Sequence, residues 1–366
     1  MYNSDNRIVL TLDAGGTNFV FSAIQANMEI VEPYCLPARP ENQYECLSTL
    51  VKGFTHIKSQ LPAAPVAISF AFPGPADYKN GIIGNLPNFP SFRGGVPLGP
   101  FLQEHFRIPV YINNDGNLFA YGEALAGALP ELNKRLKESG SQRKYNNLIG
   151  ITFGTGFGSG IVIDENLLTG DNDCGGDVWV FRNKLYSAMI AEESVSIRAI
   201  TRVYNELSHT ENKTLTPEDI FLIAEGRKEG DKQAAIDSFE QFGEVAGDAI
   251  SHLLTFADGI VVLGGGIMGA SKYIMPAMLK EMKSTLCTFA GDIFPRLEME
   301  VFDISDEKQS VDFFSDRSIE LLIPDSDKKV CYNLTKKTII METMLGTSKA
   351  VALGAYAYAL HKLDKY

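Results

Sequence analysis

Apolar residues along this chain fall into two patterns, short unbroken runs and longer segments with helical spacing. The short runs predict buried strands, because a strand covered on both faces needs no polar positions. They occur in a hairpin at 7–24 and in runs at 65–72, 110–112 and 259–263. Helical spacing occupies 44–60, 118–128, 185–206 and 232–257, and Thr216-Pro217 starts a further helix. This alternation predicts an α/β fold.

Two of the predicted hairpins turn on glycine. Their turns are Asp13-Ala14-Gly15-Gly16-Thr17-Asn18 and Gly154-Thr155-Gly156. Because glycine has no Cβ, main-chain N–H groups at such a tip can approach a phosphate. An ordinary hairpin is the alternative for either motif alone. Since the motif occurs twice, we predict a duplicated fold that binds a nucleotide between its halves, with Asp13 helping to hold hydrated Mg²⁺.

Asp115 lies where the strand at 110–112 gives way to a helix. One interpretation is a plain helix N-cap, for which Asn and Asp are preferred. The other is a general base at the end of a core strand, where ligands of α/β sheets collect. In that case Asn114 would hydrogen-bond the substrate beside it.

A third glycine motif, Gly264-Gly265-Gly266, follows the strand at 259–263. It brings backbone close to a flat or charged ligand, although glycine turns after strands are common. Two further segments are predicted to be loops, 81–99 and the acidic, glycine-rich stretch 168–179. A loop as long as 81–99 is often functional in a compact domain.

Composition narrows the function classes. A chain of 366 residues predicts two domains, and the net charge of −12 argues against a nucleic-acid partner. We expect no signal peptide and no membrane span, because no apolar run approaches about 20 residues. Five scattered cysteines without a CxxC or CxC pair suggest a reducing cytoplasm.

Taken together, the motifs resemble the ROK family of sugar kinases and related proteins, within the hexokinase–actin superfamily. The two glycine turns match its phosphate motifs, Asn114-Asp115-Gly116-Asn117 with Glu123 its catalytic segment, 263–267 its adenosine motif and 345–355 its closing segment. The resemblance implies a two-lobed, duplicated ribonuclease-H-like (actin/hexokinase-type) α/β fold with a cleft between the lobes. It assigns 1–112 plus 347–366 to the N-terminal lobe and 113–346 to the C-terminal lobe.

The same resemblance implies ATP-dependent phosphorylation of a hexose or N-acetylhexosamine, with Asp115 as general base and ATP and Mg²⁺ bound. Phosphates would lie against the two glycine turns and adenosine against Gly264–Gly266. The sugar would contact Asn85, Asn114, Asp115, Asp177 and Glu192. The implied protein is a cytoplasmic homodimer.

The chain also departs from the family pattern. Asp177 stands where the family has Glu, the following His is missing, and no zinc-binding cysteines precede Glu192, so no zinc site is expected. A charged, β-rich segment at 302–344 is an addition, predicted to form a hairpin or three-stranded piece.

Two functions other than a kinase are known or conceivable for this family pattern, a repressor and a silent sugar-binding protein. A family repressor would carry a DNA-binding helix-turn-helix before the first hairpin, and only six residues precede Arg7. A catalytically silent, ROK-like sugar-binding protein stays open, because Asp177 and the missing His weaken the predicted sugar site. Retention of Asp13, both phosphate turns and Asp115 favours the enzyme.

Overall fold

The computed structural model describes residues 1–15, 17–74, 76–84, 90–212, 214–315 and 318–365. Its strands are β1 (Val9–Ala14), β2 (Asn18–Gln25), β3 (Met28–Glu29), β4 (Tyr34–Pro37), β5 (Ala67–Ala71), β6 (Ala76–Asp77), β7 (Ile82–Ile83), β8 (Val110–Asn113), β9 (Leu148–Phe153), β10 (Phe157–Ile163), β11 (Asn166–Leu167), β12 (Ile260–Gly264), β13 (Thr285–Cys287), β14 (Ile293–Pro295), β15 (Glu300–Asp303), β16 (Ser318–Leu322), β17 (Lys329–Asn333) and β18 (Lys337–Glu342). Its α-helices are α1 (Gln43–Lys58), α2 (Leu98–Phe106), α3 (Asp115–Ala126), α4 (Ala128–Glu138), α5 (Ile197–Ser208), α6 (Pro217–Ala224), α7 (Lys232–Ala257), α8 (Ser271–Met282), α9 (Glu307–Phe314) and α10 (Thr347–Lys365). The predicted α/β fold is confirmed.

Two sheets carry the fold, and they repeat one strand order. The first runs β3-β2-β1-β5-β8, with β4 on β2, and the second runs β11-β10-β9-β12-β18-β15. In each sheet one strand of a hairpin with a glycine turn, β1 or β9, is followed by parallel strands. There are two in the first sheet (β5, β8) and three in the second (β12, β18, β15). The central strands β5 and β12 are buried at every position. This repetition is what the two glycine turns predicted.

The chain divides into two compact units. The first contains 1–130, 159–176 and 343–366, and the second contains 131–158 and 177–342. The first unit therefore extends beyond the predicted boundary at 112 and includes α3. The reason is packing: a Cβ on Gly122 of α3 would strike Ala350 of α10, and one on Gly354 would strike Leu118. The two helices pack backbone against backbone.

Helix boundaries follow local chemistry. Asn42 accepts a hydrogen bond from the Glu45 N–H at the start of α1, and Asp231 caps α7 in the same way. Thr216 and Asp219 form a capping box around the first turn of α6, which starts at Pro217 as the Thr-Pro signal predicted. In contrast, the predicted helix at 185–206 begins only at Ile197, and a short 3₁₀ turn at Ala191–Glu193 precedes it.

The predicted β-rich insertion at 302–344 is smaller in the structure. The hairpin β16–β17 is an exposed two-stranded sheet, whereas β18 is a buried strand of the second sheet, parallel to β12. Lys337 at the start of β18 is 5% exposed, and its Nζ donates to the carbonyls of Asp312 and Ser315 at the end of α9. The flanking elements therefore belong to the core of the second unit. Among the described residues no helix is both long and apolar enough to cross a membrane.

Candidate active site

The parallel strands of the first sheet bring two of the predicted site segments to one edge. Leu10 pairs with Ile68, and Ile68 pairs with Val110. Three residues further along each strand, Asp13, Ala71 and Asn113 therefore stand at the same level. Since neighbouring strands lie about 4.8 Å apart, β1 and β8 are separated by roughly 10 Å. Asp13 and the Asn114-Asp115 segment thus lie at the same carboxyl edge, where α/β sheets bind ligands.

Asp115 is the first residue of α3, and the helix cap is its neighbour. Asn114 Oδ1 accepts the N–H groups of Gly116 and Asn117 at 2.7 and 3.2 Å, so Asn114 is the N-cap. The interpretation of Asp115 as the cap is therefore wrong. Its Oδ1 accepts the Gly116 N–H at 2.9 Å, and the residue is exposed to solvent. The side chain can thus reach a ligand.

Surrounding protein changes the acidity of Asp115. Desolvation raises the pKa of its carboxyl above the ordinary 3.8, and backbone hydrogen bonds oppose that shift. Because a raised pKa makes the ionised form a stronger base, the direction of the shift suits proton abstraction.

Buried hydrogen bonds fix the backbone on which Asp115 stands. Asn113 is 1% exposed, and its Oδ1 accepts from the Asn114 N–H at 2.8 Å and from Asn117 Nδ2 at 3.0 Å. At the other end of α3, the buried carboxylate of Glu123 accepts the N–H groups of Ala128 and Leu345 at 2.8 and 3.1 Å, and the Thr343 hydroxyl. Glu123 therefore has a structural role in the segment that precedes α10.

The turn after β1 is open to solvent. Asp13, Gly15, Thr17 and Asn18 are exposed, and β1 pairs with β2 up to Ala14–Phe19. Gly16 lies outside the described residues, as does Asn85, one of the predicted sugar contacts. The exposed Asp13 carboxylate offers the oxygen donor that Mg²⁺ prefers.

In the second unit, the other two glycine motifs also share an edge. Parallel pairing puts Leu263 opposite Ile151 and Gly264 opposite Thr152, so the turns that follow β9 and β12 are neighbours. Gly265 has φ +97°, and a Cβ there would strike the Phe153 carbonyl, so packing itself requires glycine. At Gly154 and Gly266, by contrast, a Cβ would meet no described atom within 4 Å, which leaves room for a ligand.

The predicted sugar residue Glu192 lies against one of these turns. Its Oε2 accepts the Phe157 N–H at 3.0 Å, and its Oε1 accepts from Arg198 Nη2 at 2.8 Å. Asp177 is half-buried just before a 3₁₀ turn at Val178–Val180. Desolvation raises the pKa of its carboxyl, and a hydrogen bond from Trp179 opposes that shift.

Sequence reasoning missed two residues that support Glu192. Arg198 is one, and Asn183 is the other. Asn183 is 1% exposed, its Oδ1 accepts the Leu185 and Tyr186 N–H groups, and its Nδ2 donates to the Ile190 carbonyl and the Ser194 hydroxyl. All four hydrogen-bonding positions of the amide are thus used. No motif in the sequence signals these contacts, because they depend on how the loop 183–194 folds back on itself.

No group of three or more His, Cys, Asp or Glu side chains capable of holding a metal occurs within the described ranges. Cys174 is the cysteine nearest to the segment where the family carries zinc-binding cysteines. It is exposed, and its thiol contacts the Asn172 carbonyl. Four hydrogen bonds of the Asn183 amide organise the loop that leads to Glu192.

Comparison with known protein families identifies the family of this chain. The model of the ROK family matches residues 9–299, which is well over half of the chain. The chain belongs to the ROK family. A crystal structure of glucokinase from Parabacteroides distasonis is 55% identical to this ROK protein, with a TM-score of 0.89 and 99% of each chain covered.

More distant relatives of this ROK protein differ in their sugar. Glucokinase from Thermotoga maritima is 26% identical over 299 residues, covering 77% of this chain and 90% of its own length. N-acetyl-D-glucosamine kinase from Vibrio cholerae is 25% identical over 273 residues, covering 70% of this chain and 83% of its own. The family resemblance is therefore confirmed, whereas the individual site residues stay predictions.

Proposed function

We propose that this chain, a sugar kinase of the ROK family, transfers the γ-phosphoryl group of ATP to a hydroxyl of a hexose or an N-acetylhexosamine. The observation that carries the proposal is the placement of Asp115 and the Asp13–Asn18 turn at one edge of the first sheet. A base and a phosphate-binding turn at the same edge are what phosphoryl transfer to a hydroxyl needs. The names of the relatives support the same reaction.

In this proposal the glycine motifs bind the nucleotide. The first turn contributes Gly15, Gly16, Thr17 and Asn18, the second Gly154, Thr155 and Gly156, and the third Gly264, Gly265 and Gly266. Open space beside Gly154 and Gly266 supports close approach of phosphate and adenosine to the backbone. N–H groups there would stabilise negative charge that develops on the transferred phosphoryl group.

Asp115 is the proposed general base. Its carboxylate would take the proton from the sugar hydroxyl as that oxygen attacks the γ-phosphorus, and ADP would leave on the opposite side. Asp13 would hold the metal, directly or through water, and Mg²⁺ when bound offsets charge on the phosphates. Positioning and charge stabilisation would do most of the remaining work.

Asn85, Asn114, Asp115, Asp177 and Glu192 are the proposed sugar contacts. Asn114 Oδ1 is engaged in capping α3, so its Nδ2 is the group left to donate to a sugar oxygen. Glu192 uses one lone pair of each oxygen on protein partners and keeps others for a hydroxyl. Glucose is the first substrate to test, because the relative that is 55% identical is a glucokinase.

A coupled ADP-release assay over glucose, fructose, mannose and their N-acetylamino forms tests the proposal. We expect turnover that depends on one of these sugars, on ATP and on Mg²⁺. ADP release that is independent of sugar would indicate only an ATPase. Sugar binding by calorimetry without any ADP release would instead support the silent sugar-binding alternative.

A further inference from the structure

The Glu192 carboxylate lies against the glycine turn between β9 and β10. Its Oε2 accepts the N–H of Phe157, the residue directly after Gly156, at 3.0 Å. A Cβ on Gly156 would lie 2.7 Å from the same oxygen, so only glycine leaves room for this contact. The carboxylate therefore holds the turn from the side.

The other oxygen of Glu192 is held by Arg198. Arg198 Nη2 donates to Glu192 Oε1 and to Glu193 Oε1, both at 2.8 Å. Arg198 is the second residue of α5, and the Ile197 N–H before it donates to the Gly154 carbonyl at 3.0 Å. The start of α5 thus reaches the turn twice, through backbone and through the Arg198–Glu192 pair.

The Arg198–Glu192 ion pair also changes the charge beside the turn. A carboxylate beside a turn that binds phosphate would repel the phosphate, and the repulsion falls when a cation neutralises it. The Arg198 side chain is 49% exposed and the Glu192 side chain 19%, so the arginine covers the carboxylate from the solvent side. Removing the arginine would leave the carboxylate charged, mobile and next to the turn.

We propose that Arg198 is a positioning residue for the phosphate turn: it fixes and neutralises the Glu192 carboxylate, which in turn steadies residues 154–156 for the nucleotide. The proposal rests on the proposed function, because it takes this turn to bind phosphate. It adds a residue outside the predicted motifs.

The test is the dissociation constant of MgATP, measured by calorimetry together with thermal unfolding. Arg198→Ala is expected to weaken MgATP binding roughly fivefold, as coupling between contacting groups does. Its unfolding temperature should hardly change, since a half-exposed ion pair adds little stability. Arg198→Lys keeps the charge but loses the shared contact to both glutamates, so it should recover part of the affinity.

Arg202→Ala is the matched control. Arg202 lies one turn further along α5 and donates to the Glu193 carbonyl at 3.0 Å and to Glu206, so it supports the same loop without reaching Glu192. This variant should bind MgATP as the wild type does. An equal loss of affinity in both variants would mean general loosening of the loop and would overturn the proposal.

A double-mutant cycle shows whether Arg198 acts through Glu192. In a Glu192→Gln background, Arg198→Ala should have no further effect on MgATP affinity, because the side chain at position 192, which contacts the turn, no longer carries a charge. Three results would each contradict the inference. The first is that Arg198→Ala weakens MgATP binding as much in the Glu192→Gln background as in the wild type. The others are an unchanged MgATP affinity in the Arg198→Ala single variant and a wild type that does not bind MgATP. A wild type that binds MgATP but phosphorylates no sugar would contradict only the proposed function.

Discussion

At the scale of single residues, the cap of α3 and the proposed base are two neighbouring residues, Asn114 and Asp115. Asn114 caps α3, so the carboxylate of Asp115 is not needed to start the helix. Asp115 accepts a hydrogen bond from Gly116 and stays exposed to solvent. Replacing the Asp115 carboxylate by an amide therefore tests chemistry with little effect on the fold.

Asp115→Asn should lower kcat on the best sugar by roughly 10²–10⁴, the usual contribution of general acid–base catalysis. That loss corresponds to about 3–5 kcal/mol in the barrier. MgATP affinity should barely change, because Asp115 is predicted to face the sugar. Steady-state kinetics and calorimetry give the two numbers, and a variant that keeps more than about a tenth of wild-type kcat would exclude Asp115 as the base.

Asp115→Asn, which should lower kcat, should raise the stability of the fold. The folded-state pKa of Asp115 is raised, so ionising it costs folding free energy as pH rises from 3.8 through the raised value. Above that window the cost is fully present, and below 3.8 it vanishes. Asp115→Asn should therefore unfold at a higher temperature than the wild type at pH 7, and the gap should close in acid. A lower unfolding temperature at pH 7 would show that the carboxylate stabilises the fold.

Two glycines of one 3₁₀ helix allow a matched test of the adenosine motif. Gly266 and Gly269 both lie in Gly266–Ala270, both are exposed, and a Cβ on either meets no described atom within 4 Å. Alanine at either position should leave the unfolding temperature nearly unchanged. Only Gly266→Ala should weaken MgATP binding, because only Gly266 belongs to the proposed nucleotide site. Equal affinities in a binding titration would remove Gly266 from that site.

At the scale of elements, the sequence predicted best the strands that are unbroken apolar runs and the helix with regular apolar spacing. β5 and β12 are buried on both faces and read as unbroken apolar runs, and α7 has the predicted bounds Lys232–Ala257. α2 (Leu98–Phe106) was not predicted. It begins at the end of the Gly- and Pro-rich stretch 81–99, which predicted a loop, and its start has no side-chain cap. β18 looked like part of an insertion, because its role depends on pairing with β12, a strand almost 80 positions earlier.

The exposed hairpin β16–β17 should be dispensable for nucleotide binding. Ser318 pairs with Asn333, so its two ends are adjacent and a short Gly/Ser linker can replace 318–333. We expect this variant to fold and to bind MgATP within about twofold of the wild type, as a calorimetric titration would show. Replacing 305–337 instead should destabilise the protein, because Phe313 and Lys337 are buried. Lost affinity in a still-folded 318–333 variant would place the hairpin in the site.

At the scale of the whole molecule, the repeated strand order explains which parts of the fold could be predicted from the sequence. A glycine motif lies at the carboxyl edge of each of the two sheets, and the two hairpins in the sequence were enough to predict this repetition. The nucleotide site itself stays a prediction. Arg198 and Asn183 could not be predicted, because each acts through the conformation of a loop rather than through spacing. The departures from the family pattern at Asp177 and in the zinc segment predict a loop without zinc, and that stays a prediction.

Loss of the zinc segment leads to a prediction for the protein as a whole. Asn183 spans the loop before Glu192 with four hydrogen bonds, and no metal-binding cluster lies in the part of the chain that the structure describes. A structural zinc contributes about 10–16 kcal/mol to folding, so a zinc-dependent fold would collapse on chelation. We expect less than about a tenth of a zinc per chain by elemental analysis. Overnight treatment with EDTA, in the absence of nucleotide, should leave the unfolding temperature unchanged.

Asn183→Ala should lower the unfolding temperature and also weaken MgATP binding, because it releases the loop that holds Glu192. One zinc per chain that disappears in Cys174→Ser would show that a metal, rather than Asn183, organises this loop.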